Sequence, residues 1–475
     1  MNNTRISSLI TLISVFFFWG FVAASNSILT PLFKDIFHLT QTQAQLVESA
    51  FYISYFVGSL AYFLISYFVG DPLGKIGYKK GLIIGLLISA VGAIGFIPAA
   101  NSNSYPFLLV CLFTVGLGFT LQQIVANPYV IVLGDPATGS HRLNLAAGVN
   151  SFGTTIGPVL LSLALFGQTT AATTHADISA VKMPSIILCS MLLLSALVLG
   201  FSKLPPITKH EHTEKSLGAL QYPQLVFGMA AIFFYVGVEV TQASNLGKLL
   251  QMPEIKGITT DKISPYVSLF WGSLMIGRWR GSLTIFNFSK IWKNIMNVVV
   301  PFLGFGVICG VNYLRHSDIS DYVYYIPFII LAIIIFFIGK EKPALTLILF
   351  SCTAACMVLI GLCTTGTLAL LCFISGGLFC SVMWPCIFTL AIAGLGKFTT
   401  QGSSLLVMMI LGGAFIPVLQ GRIVDAYNAH IAYCVPVFCY AYLAFYGWKV
   451  RKVLRVQGIN ADAVEEEYAA TDLNN

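Results

Sequence analysis

Runs of about twenty apolar residues recur along almost the whole of this chain, and each is long enough to cross the hydrocarbon core of a bilayer. They fall at residues 9–29, 44–69, 81–99, 107–129, 145–166, 185–200, 222–246, 263–285, 295–311, 323–338, 344–363, 368–392, 403–419 and 431–446. Backbone polar groups in hydrocarbon must be paired within their own segment, so each run is expected to be a helix. The sequence therefore predicts an all-α, polytopic membrane protein with about fourteen transmembrane helices. Of its 475 residues, 57% are hydrophobic and 9% charged, against roughly 25% charged in a soluble domain. Val22-Ala23-Ala24-Ser25 resembles a signal-peptidase site. The apolar stretch runs past it to Leu29 and further spans follow, so retention as a first span is expected.

A net charge of +7 invites a nucleic-acid reading until the Lys and Arg residues are located. They cluster in short tracts between apolar runs, which is a topology signal. With alternating spans and the N-terminus inside, Lys34, Lys182, Lys248, Lys256, Lys262, Arg315 and Arg422 fall outside. The rest of the 26 basic residues fall inside, which predicts an N-in, C-in protein. The longest loop, at 203–221, is polar and reads as a linker between two helical halves, and its His210 and His212 are too few to read as a metal site. The eleven cysteines lie mostly in apolar runs and read as packing thiols.

Polar groups inside spans carry the functional signal. A carboxylate at mid-membrane costs at least about 2.5 kcal/mol and usually marks a solute path. Glu239 is the clearest case, and Glu48, about one turn inside its span, is the second. Asn26, Gln122, Gln123, Asn127, Asn150 and Gln242, with Trp271 and Trp384, form a set suited to a sugar. Amides donate to and accept from vicinal hydroxyls, and indole faces pack on the C–H faces of a pyranose. The same amides could instead bond helix to helix, at roughly 0.6 kcal/mol each. A faint internal repeat pairs Gly70-Asp71-Pro72-Leu73-Gly74-Lys75 and the basic residues after it, Lys79 among them, with Gly277-Arg278-Trp279-Arg280-Gly281. Both read as turns after the second helix of a half.

Ordered motifs strengthen this reading: Phe17-Phe18-Trp19-Gly20 with Asn26 to Pro31, Ile76-Gly77-Tyr78-Lys79-Lys80-Gly81, Ala126-Asn127-Pro128-Tyr129, Arg142-Leu143-Asn144-Leu145, Asn150-Ser151-Phe152-Gly153, Tyr235-Val236-Gly237 with Glu239, Trp271-Gly272, Met383-Trp384-Pro385 and Gln401-Gly402-Ser403-Ser404. Through these the chain resembles the fucose/glucose/galactose:cation symporter family of the major facilitator superfamily. The resemblance implies two six-helix bundles around a central sugar site, with alternating access. It divides the chain into an N-terminal bundle (1–202), a cytoplasmic linker (203–221), a C-terminal bundle (222–456) and a disordered cytoplasmic tail (457–475). An extra helix pair at about 294–340 reads as an insertion that packs outside the second bundle.

By the same resemblance Gln123 and Asn150 sit where the family places sugar and coupling contacts, and Asp71, Lys79, Arg142 and Arg278 belong to gating cytoplasmic turns. Two departures stand out. Proton-linked fucose members carry Asp at the position of Ser27 and Glu at that of Gln123, so both usual proton-titrating groups are absent here. The expectation is hexose uptake across the inner (plasma) membrane, coupled to sodium before protons, with Glu239 and then Glu48 as the coupling carboxylates. The expected partners are a sugar, the cation and lipid, with no nucleic acid, no resident cofactor or metal, and a monomeric protein. An uncoupled facilitator is the rival within the class. A sugar sensor or an intramembrane enzyme is the rival outside it, and the spans offer no nucleophile–base pair for catalysis.

Overall fold

The computed structural model describes residues 6–39, 41–133, 139–166, 181–202, 204, 218–258, 262–286, 288–339 and 342–459. Most of the 203–221 linker, with His210 and His212, and the tail from 460 lie outside the described residues, as do the side chains of Asn26, Ser27 and Glu48. Regular structure among the described residues is entirely helical. The first half holds α1 (Ile6–Ile36), α2 (Gln41–Val69), the short α3 (Pro72–Ile76), α4 (Tyr78–Asn101), α5 (Tyr105–Val132), α6 (Gly139–Phe166) and α7 (Lys182–Phe201). The second holds α8 (Pro223–Gln251), α9 (Ser264–Gly281), α10 (Lys290–Leu314), α11 (Ile326–Gly339), α12 (Pro343–Cys363), α13 (Gly366–Cys380), α14 (Met383–Ile392), α15 (Thr399–Met408), α16 (Gly412–Ala426), α17 (Ala429–Ala432) and α18 (Cys434–Val456). Eleven described helical segments are long and apolar enough to cross a membrane.

Local chemistry sets the helix starts. Proline occupies the first turn of α5, α8, α9 and α12, where its missing N–H is not needed. Asp71 caps α3 by accepting from the Gly74 N–H at 3.0 Å, which satisfies one orphan donor of that turn.

The packing repeats. In the first half α1 lies on α6, α2 on α5, and α4 on both α5 and α7. In the second, α8 lies on α16, α9 on α13, and α12 on both α13 and α18. Helices α10 and α11 have no counterpart in the first half. They cover the flank of α9 and the edge of α12, with Gly304 of α10 against the Ile276 backbone and, just before α11, the Tyr325 hydroxyl accepting from that of Ser273 at 3.0 Å. The loop before α11 is tied down where Lys256 meets Asp321 at 2.5 Å and the Tyr266 hydroxyl donates to the same carboxylate.

Besides a turn at Tyr433 near the start of the 431–446 run, two runs that read as single spans are interrupted along their length. The 368–392 run breaks between α13 and α14, and the 403–419 run breaks at a 3-10 turn over Met409–Leu411. The cysteine reading needs a correction as well. Cys352, Cys356 and Cys363 lie exposed on α12, whereas Cys111, Cys189, Cys372, Cys380, Cys386 and Cys439 are buried.

Candidate functional site

The halves meet along α6 with α9 and α14, and along α15 with α2 and α5. Successive spans alternate in direction, so Ile6, Val69, Tyr78, Val132, Gly139, Phe201, Pro223 and Gly281 lie at one end, called here the linker end. Contacts between halves gather at or near it. The Tyr78 and Thr400 hydroxyls are 2.8 Å apart, the Ser403 hydroxyl donates to the Ile124 carbonyl at 2.9 Å, and His141 Nδ1 meets the Gly281 carbonyl at 2.6 Å.

Arg278 is the centre of the seam. The repeat with Gly70–Lys80 predicts a turn here, but α9 continues to Gly281 and carries Arg278 inside the helix. Its Nε donates to the Ser381 carbonyl at 3.1 Å, Nη1 to the Ser151 hydroxyl at 2.5 Å and the Ala147 carbonyl at 3.4 Å, and Nη2 to the Tyr235 hydroxyl at 3.2 Å and Glu239 Oε1 at 3.5 Å. Five guanidinium N–H groups thus meet five oxygens, two of them in the first half. The Ser381 carbonyl is available because the α13–α14 break leaves it without a place in a helical ladder. The Arg278 and Glu239 side chains are only 8% and 14% exposed, so the pair is compensated within protein rather than by water.

The aromatic wall beside this pair is built by Trp384, whose ring lies 6.1 Å from Tyr235 and stacks over Phe388 at 6.0 Å. Trp384 is half-buried, as is Trp271, which lies edge-on to Phe270 at 5.5 Å. On the facing half, Gln123 is half-buried and donates from Nε2 to the Tyr55 hydroxyl at 3.1 Å. Asn150, also half-buried, donates from Nδ2 to the Phe16 carbonyl at 3.1 Å. Gly20 allows that approach, since a Cβ there would lie 2.0 Å from the Asn150 carbonyl oxygen.

Other amides sit elsewhere. Gln122 is fully buried in the first half, its Oε1 accepting from Trp19 Nε1 at 3.0 Å and its Nε2 donating to Ser89 at 3.1 Å. With a partner at each end it joins α1, α4 and α5 within the first half. Gln242 accepts from the Tyr440 hydroxyl at 2.6 Å, while its buried Nε2, like Asn127 Nδ2, has no hydrogen-bond partner among the described residues. Asn26 and Glu48 have side chains outside the described set.

The proposed turn residues hold backbone. Asp71 caps α3 and accepts from the Tyr62 hydroxyl; Lys79 donates to the carbonyls of Gly200 at 2.9 Å and Ser202 at 2.8 Å. Arg142, fully buried, donates to the Val130 carbonyl at 2.8 Å and to that of Ile131, closing the C-terminal end of α5. Sequence reasoning misses Tyr55, Ser151, Tyr235 and Ser381. Tyr235 was within reach, one helical turn before Glu239; for Ser381 the available signal was Pro385, four residues on, whose missing N–H leaves the Ser381 carbonyl without its helical donor.

Residues 11–417 match the Major Facilitator Superfamily. The chain belongs to that superfamily, a class of membrane transporters rather than enzymes. It is 35% identical to a glucose/galactose transporter of Brucella abortus, over 93% of each chain. It is 29% identical to the L-fucose-proton symporter of Escherichia coli, over 90% of each. Among solved structures, the facilitator FucP in the outward conformation superposes with a TM-score of 0.72 at 27% identity, covering 94% of this chain and 99% of that one.

Proposed function

We propose that this protein takes up a neutral hexose of the glucose, galactose or fucose class by alternating access, coupled to a cation, with sodium ahead of protons. The observation that carries the reading is a set of half-buried polar and aromatic side chains in both halves, Gln123 and Asn150 in the first and Trp384 and Trp271 in the second, with the Glu239–Arg278 pair bonded across the seam to Ser151. Amides and indoles together suit the hydroxyls and C–H faces of a sugar. Arg278 has its donors engaged by protein oxygens, which favours an uncharged solute over a sugar acid. The names of the Brucella and Escherichia relatives support the substrate class.

In this reading the chain has fourteen spans, both termini and the linker end are cytoplasmic, and the membrane is the inner (plasma) membrane. It works as a monomer with no resident cofactor, the cation being cargo. Glu239 is the coupling carboxylate. A second reading, an uncoupled facilitator, is favoured by one observation: Glu239 already has a guanidinium partner. The deciding experiment is sugar accumulation in proteoliposomes under imposed sodium or proton gradients. Accumulation with either gradient supports coupling, whereas equilibration under both establishes the facilitator.

A further inference from the structure

Arg278 is divided between two masters. Its contact with Ser151 of the first half is short, 2.5 Å, whereas its contact with Glu239 of its own half is long, 3.5 Å. The linker end is closed here, with Tyr78 on Thr400 and His141 on Gly281. In this closed state the guanidinium is shared between the halves, with Ser151 and Ala147 on one side and Glu239, Tyr235 and Ser381 on the other.

Opening the linker end must part α6 from α9, and with them Ser151 and Ala147 from Arg278. Two N–H groups then lose their acceptors, and an unpaired buried donor on a cation is costly. Glu239 is the anion within reach, since Tyr235, Glu239, Ser381 and Arg278 all belong to the second half and travel together. The guanidinium would therefore settle fully onto the carboxylate when that end opens.

We infer that Arg278 is a tethered competitor for the cation at Glu239: held off by Ser151 and Ala147 while the linker end is closed, and returned to Glu239 on opening, where it expels the cation to that side. This rests on the coupled reading above. Cation binding and closure of the linker end are linked because each needs the guanidinium withdrawn from the carboxylate, and such linkage is reciprocal. Arg278 is thus a positioning residue whose second position performs the release.

The test uses the full chain in proteoliposomes with glucose, galactose and fucose as probes. Net uptake is measured under an inward sodium gradient at fixed pH and, separately, under an inward proton gradient without sodium. Sugar counterflow is measured with equal cation on both sides, a mode that needs no cation release. Arg278→Gln is expected to lower net uptake about tenfold more than it lowers counterflow, and to tighten apparent cation affinity by about tenfold. Arg278→Lys, which keeps the charge, is expected to restore most of the net uptake. Ser151→Ala lets the guanidinium rest on Glu239 in every state and is expected to raise the cation concentration for half-maximal uptake by about fivefold. Net uptake and counterflow falling together in Arg278→Gln would overturn the inference. If that variant does not fold, Ser151→Ala decides alone, and an unchanged cation requirement there overturns it. Wild-type protein that gives counterflow with no cation dependence removes the coupled reading and this inference with it. Wild-type protein that moves none of the three sugars removes the sugar-transport reading instead.

Discussion

Gly277 lies flush against Ser381, so that a Cβ at position 277 would stand 1.8 Å from the serine hydroxyl oxygen and 2.6 Å from its Cβ. Rotating the hydroxyl away would relieve the first contact but not the second. The close approach is what brings α9 to the α13–α14 break and lets Arg278 reach the Ser381 carbonyl. Gly277→Ala is expected to destabilise the protein by about 1–3 kcal/mol, as overpacking does. Thermal unfolding in detergent measures the loss, and Gly277→Ala combined with Ser381→Gly should recover most of it.

Gln122 and Gln123 are neighbours with opposite expected phenotypes. Removing the Gln122 amide leaves the Trp19 N–H and the Ser89 hydroxyl buried without it, so Gln122→Leu should cost about 2–4 kcal/mol of stability. Sugar affinity of the folded fraction should be unchanged. Gln123→Ala should do the reverse, holding stability within about 1 kcal/mol while sugar affinity falls about tenfold. Binding isotherms on protein recovered after size exclusion separate the two, and equal affinities for both variants would contradict the assignment.

The Tyr78–Thr400 bond joins the halves at the linker end. Tyr78→Phe removes it at a cost of about 1 kcal/mol to the closed state, a shift of about fivefold in the open-to-closed ratio. Cysteine-accessibility labelling at a seam position, compared with and without the substitution, reads that ratio. No change in labelling would mean that the bond does not bias the two states.

Asp321 is met by both Lys256 and Tyr266. Asp321→Asn is expected to lower stability by about 1–3 kcal/mol, the range for hydrogen bonds to a charged group. It should loosen the α10–α11 pair first, which limited proteolysis of the loop before α11 would detect as faster cleavage. Nearby Asp318 has its carboxyl held below the usual range by the Ser320 N–H and hydroxyl, and it stays ionised through the neutral pH of such an assay.

Much of this architecture is legible in the residues because hydrocarbon imposes a simple rule. Each long apolar run became helix, and Pro223 and Pro343 mark helix starts that composition alone leaves loose. The site is less legible, for a geometric reason. Adjacent helical positions diverge by about 100°, so Gln122 turns into the first half while Gln123 turns to Tyr55 near the seam. Sequence reasoning, which groups the two amides, does not resolve that rotation. Arg278 and Glu239 are on different helices, and which faces of α8 and α9 meet depends on packing that no local pattern encodes. The interrupted helix at Ser381 does have a local cause, since Pro385, four residues on, has no N–H to give the Ser381 carbonyl, although its apolar flanks read as one continuous run.

The cover that α10 lays along α9 has a consequence for how the protein is made. Every α9 residue from Pro265 to Gly281 is at least half-buried, and Arg280 lies 4.2 Å over the Phe336 ring of α11. A segment with two arginines is a poor candidate for entering lipid alone. Its greasy successor α10 follows within a few residues, so biogenesis should deliver the two as a hairpin, the second arm escorting the first out of the translocon.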